Sequence, residues 1–128
     1  MSEPLILTLK KKIEKLDSKV NEKHELFSGG LHGTNEGEEV TANLNGNVSD
    51  YNYFICRVRK WNEGEEETTV IVSATDKKQF FKLNSALKTY YAVFAITITS
   101  DNKVKFQCCD LEGWQWKDNI QLEQVLGI

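Results

Sequence analysis

Residues 51–61, YNYFICRVRKW, alternate so regularly that they constrain the rest of the chain. In an extended strand Phe54, Cys56 and Val58 share one side, and Tyr51, Tyr53, Ile55, Arg57, Arg59 and Trp61 share the other. The first side requires a core to bury it. The second side, aromatic and basic, requires either a further layer of the same chain or another molecule.

Other strands follow from similar patterns. EVTANL (39–44) alternates through Val40, Ala42 and Leu44, and the Asn45-Gly46 pair supplies the positive φ angles of a tight turn into residues 51–61. NEGEEE (62–67) turns the chain again, into TTVIVSAT with Val70, Val72 and Ala74 inward. AVFAITITS and KVKFQCCDL make a fourth and a fifth strand about Asp101-Asn102.

Helical spacing is read in three places. Ile6, Leu9, Ile13, Leu16 and Val20 recur every three or four residues in a helix over 3–26, with Ser2 as its cap and Pro4 in its first turn. Its narrow stripe suits either the back of a sheet or the seam of a homodimer through helix 3–26. The stretch 27–39, FSGGLHGTNEGEE, is a loop by its glycine and glutamate content. Asp76 and Gln79 form a capping box for a helix over 77–91, with Phe80, Leu83, Leu87 and Tyr90 as its stripe. After GWQW, Asp118 and Gln121 cap a last short helix that Gly127 stops. The fold expected is therefore one α+β domain spanning 1–128, ordered α-β-β-β-α-β-β-α. Its five-stranded, mainly antiparallel sheet would carry helices packed on it.

The chemistry is sparse. With 128 residues, 40% hydrophobic and 27% charged, the composition is that of an ordinary globular domain. The net charge of −3 lacks the basic excess of a nucleic-acid-binding domain. Cys56, Cys108 and Cys109 are odd in number, with no CxxC, so they read as reduced, buried thiols, with Cys109 the one facing away from the core. His24 and His32 lack the spacing of a metal site, and no glycine-rich loop lies between a strand and a helix as a phosphate loop must. No apolar run reaches membrane length and no leader pattern opens the chain, so the expectation is a cytoplasmic protein that avoids membranes. In that setting the Asn47-Val-Ser49 sequon carries no meaning. No catalytic, cofactor-binding or metal-binding residue is assigned.

The expected order of elements over residues 5–111 resembles that of PD-(D/E)xK nucleases. That resemblance implies an acid near the second strand, a place Asp50 fills, and an acid-x-lysine on the third, which TTVIVSATDKK lacks. A nuclease-like scaffold here is thus expected to be inactive. The order also resembles that of the small acidic chaperones of type III secretion, which bind unfolded stretches of their cargo.

The function expected is a small, acidic, non-catalytic protein-binding module: an inhibitor, an immunity or antidefence protein, or a chaperone. Its contact residues are Tyr51, Tyr53, Arg57, Arg59 and Trp61, with Trp114 and Trp116 as a second anchor. The alternative is a nucleic-acid-binding protein that stacks bases on Tyr and Trp and holds phosphates with Arg and Lys. Acidic stretches around Glu36–Glu39 and Glu63–Glu67 oppose that alternative.

Overall fold

A computed structural model describes residues 24–60, 66–86 and 89–128. They form eight strands: β1 (His24–His32), β2 (Val40–Asn43), β3 (Phe54–Lys60), β4 (Glu67–Val72), β5 (Gln79–Asn84), β6 (Tyr91–Ile98), β7 (Lys103–Glu112) and β8 (Ile120–Gly127). Short 3-10 turns at Val48–Asp50 and Lys117–Asn119 are the helical elements among the described residues. Two four-stranded antiparallel sheets result, in the orders β1-β8-β3-β4 and β2-β7-β6-β5. Leu26, Phe54, Cys56, Val58, Val72, Leu122 and Val125 of the first meet Leu83, Phe94, Ile96, Ile98, Val104, Phe106 and Cys108 of the second in one core. The architecture is a β-sandwich.

This overturns the α+β expectation, and each correction has a local cause. Residues 79–84 are a strand: Phe81 and Leu83 face inward while Phe80 and Lys82 face out, a period of two in place of the helical stripe. The two residues of the supposed capping box serve the turn instead. Asp76 takes a left-handed φ of 57° and its Oδ1 accepts from the Ser100 N–H at 2.8 Å. The Gln79 side chain bonds the backbone of Ser73. The last helix is likewise a strand, β8. A bulge turns both Glu123 and Gln124 outward, so the inward residues fall at 120, 122 and 125, and the final interval of three imitates a helix.

Residues 24–26 of the expected first helix belong to β1, whose Leu26 is buried; the rest of that helix lies outside the described residues, as does its homodimer seam. The glycines read as a loop sit partly inside β1, where Gly29 takes φ 133° at an irregularity of the β1–β8 pairing. Asn45-Gly46 does not close a hairpin, because β2 pairs with β7 and the chain crosses to the other sheet before β3. With the element order gone, the nuclease and chaperone resemblances lose their basis. The β6–β7 hairpin forms as expected, with Asn102 at φ 66° in its turn. Among the described residues no helix is long and apolar enough to cross a membrane.

Candidate functional site

The outward side of β3 lies in the middle of its sheet, and the pairing lays the surrounding residues out in three rows. The first runs Ile71–Ile55–Leu126–Glu25, the second Thr69–Arg57–Gln124–Ser28 and the third Glu67–Arg59–Gln121–His32. The bulge in β8 inserts Glu123 between the second and third rows. Its carboxylate accepts from Arg59 Nη2 at 2.7 Å and from Gln121 Nε2 at 3.0 Å, with Arg57 Nη2 at 3.8 Å. Arg57 Nε donates to Glu67 Oε1 at 2.9 Å, and that bond holds the Glu67 carboxyl below the usual carboxylate range. Arg59 is half-buried, and its Nε is buried with no hydrogen-bond partner among the described residues.

Both arginines are thus fixed in place by carboxylates. Gln124 Nε2 in turn donates to Glu25 Oε2 at 2.6 Å, so this face holds two arginines against Glu25, Glu67 and Glu123. A phosphate track would need uncompensated cations here, and among the described residues this face carries a net negative charge. Beside the ionic network the face is apolar and open: Tyr53 is 55% exposed and Ile71 65%, with Ile55 and Leu126 half-buried beside them.

The other expected contact residues are placed differently. Tyr51 is half-buried. Its ring packs edge-on to Phe54 and lies where a Cβ on Gly127 would be, 2.6 Å away, so its role is packing. Trp61 lies outside the described residues. Trp114 and Trp116 lie past the end of β7, at the end of the sandwich opposite Tyr53. Trp114 is half-buried, edge-on to Tyr90, with Lys60 Nζ 5.8 Å from its ring; Trp116 is 51% exposed. Seven strand residues at about 3.3 Å each separate the two groups, roughly 20 Å.

Nor do the cations of β7 join the arginines. Lys105 lies on the outer face of the second sheet, where Glu39 approaches Lys105 Nζ at 3.9 Å and Lys78 Nζ at 3.7 Å. Lys78 Nζ also donates to Gln107 Oε1, and Gln107 Nε2 to the Gly37 carbonyl, each at 2.8 Å, tying the 33–39 loop over that face. The single platform of aromatics and cations is therefore two faces on opposite sides of the molecule. Burial pushes the Cys56 and Cys108 thiols up to about 12 and Cys109 also upward, which lowers the share of the thiolate a nucleophile uses. Among the described residues no cluster of three or more His, Cys, Asp and Glu side chains could hold a metal ion.

Several residues of this face escaped the sequence reading. Glu67 was hidden in a run of glutamates, and the β3–β4 pairing sets it opposite Arg59. Glu123, Gln121 and Leu126 were hidden because β8 read as a helix. No protein-family model matches the chain, and no curated protein matches its sequence.

Proposed function

We propose that the chain is a non-catalytic protein-binding module whose contact surface is the outer face of β3 and β4. The observation that carries this reading is the exposure of Tyr53 and Ile71 beside two arginines held by Glu67 and Glu123. Tyrosine and arginine are enriched among residues that dominate interface energy. Side chains already immobilised by their neighbours lose less freedom when a partner docks, which favours affinity. The surrounding acid suits a partner with a basic rim and disfavours nucleic acid. Three free thiols support a reducing, cytoplasmic setting.

The test is affinity capture from nuclease-treated host lysate with the full chain, compared with a Tyr53→Ala/Ile71→Ala variant. A stoichiometric protein retained by the first and lost from the second supports the reading. Nucleic acid retained until nuclease or salt removes it, with no protein, would replace it by the stacking alternative.

A further inference from the structure

Among the described residues β4 ends its sheet: in the order β1-β8-β3-β4 it has β3 on one side and the rim of the sandwich on the other. Which of its backbone groups point to that rim follows from the register. The pairs run from Phe54↔Val72 to Arg59↔Glu67, and the next N–H along β3, that of Lys60, donates to Glu66 O at 2.7 Å. Antiparallel pairs alternate between those that exchange hydrogen bonds and those that do not. In step with Lys60–Glu66 are Val58–Thr68, Cys56–Val70 and Phe54–Val72. The N–H and C=O groups of Glu67, Thr69 and Ile71 therefore point away from β3.

The next residue in the same phase, Ser73, is closed off. Its N–H donates to Gln79 Oε1 at 3.2 Å and its C=O accepts from Gln79 Nε2 at 2.8 Å. One side-chain amide stands where a neighbouring strand would, and it limits the open rim to residues 67–71. Glu67, Thr69 and Ile71 are also exposed and carry the outer-face side chains of this strand. β4, ETTVIV, has neither the lysine nor the proline with which natural edge strands discourage pairing.

We propose that this rim takes an extended segment of the partner protein by strand addition, with a cation opposite Glu67, a β-branched residue opposite Thr69 and an apolar residue opposite Ile71. The proposal rests on the protein-binding reading above and states how the partner engages. Charge selects the partner's chemistry. Glu67 opens the strand with Glu66 just before it, Arg57 engages Glu67 through Oε1, and Glu123 and Glu25 add further negative charge to the same face. Main-chain bonds supply affinity in such a complex, and the alternating side chains supply specificity. In antiparallel docking the segment reads apolar, any residue, β-branched, any residue, cation.

The probe is a capped synthetic peptide alternating valine and threonine, with a lysine near its C-terminal end, added to the isotope-labelled full chain. Slowed amide exchange at Glu67, Thr69 and Ile71, with Thr68 and Val70 unchanged, is the result expected. A peptide with glutamate in place of the lysine should bind about tenfold more weakly, and so should Thr69→Pro against the original peptide. Because the Thr69 N–H points outward, proline there leaves the β3–β4 ladder intact, and continued protection of Thr68 and Val70 verifies that the variant folds. No binding at millimolar peptide, or equal binding to Thr69→Pro, overturns strand addition. Peptide-induced shifts confined to Tyr53, Ile55 and Arg57, with rim exchange unslowed, overturn it while leaving the face reading intact. The face reading itself fails if the captured protein is retained equally by the Tyr53→Ala/Ile71→Ala variant.

Discussion

At the scale of single residues, Glu123 organises the candidate face. It stands on a bulge between two arginines, accepts from Arg59 and Gln121, and is largely shielded from solvent. Glu123→Ala should cost about 1–2 kcal/mol in urea unfolding, since it leaves the half-buried Arg59 without its carboxylate. The outer pair behaves differently. Glu67 has its carboxyl lowered by the hydrogen bond from Arg57, so its folded pKa lies below its unfolded one. The stability this contributes is present above the unfolded value, about 4.3, and is lost as pH falls through the folded value. Wild-type protein should therefore lose more stability on acidification from about pH 5 to pH 3 than Arg57→Ala does. The arginines were legible in the sequence because alternation in a strand assigns a facing to each residue. Their partners were not, because pairing across strands depends on register.

At the scale of elements, the readings that held had an unbroken period of two, although Ala74, expected inward, lies exposed beyond the end of β4. The inward residues Phe54, Cys56 and Val58, and likewise Val104, Phe106 and Cys108, are fully buried. The readings that failed were short or interrupted. In β5 Phe80 and Leu83 fit a helical stripe while Phe81 and Leu83 fit a strand, and pairing with β6 decides between them. In β8 one inserted residue breaks the alternation. Turns show how closely elements depend on single positions. Gly113, at φ 86°, lies under Tyr90, and a Cβ there would come within 2.1 Å of the ring. Gly113→Ala should destabilise the fold by about 1–3 kcal/mol and should move the Trp114 fluorescence, since Tyr90 packs edge-on to that indole.

At the scale of the whole molecule, two sheets share one core and leave two outer faces of different character. Phe94 sits at the centre, with its ring centroid 5.7 Å from that of Phe81 and 5.9 Å from that of Phe106. The core thiols report on the same packing. Cys56 and Cys108 are pushed by burial from 9.0 to about 12, so the stability that burial of the neutral thiol contributes is full below pH 9.0 and is lost as pH rises toward about 12. A thiol reagent at neutral pH should label Cys109 slowly in the native protein, and Cys56 and Cys108 only on unfolding.

The proposed contact surface is the outer face of β3 and β4, and an exchange footprint tests it directly. Amide exchange of the full chain, alone and with its captured partner, should show added protection within residues 53–59 and at Glu67, Thr69 and Ile71. Exchange around Tyr90, Trp114 and Trp116, and along the outer face of β7, should be unchanged. Protection confined to the tryptophan end or to the β7 face, with residues 53–59 and 67–71 exchanging as before, would contradict the account.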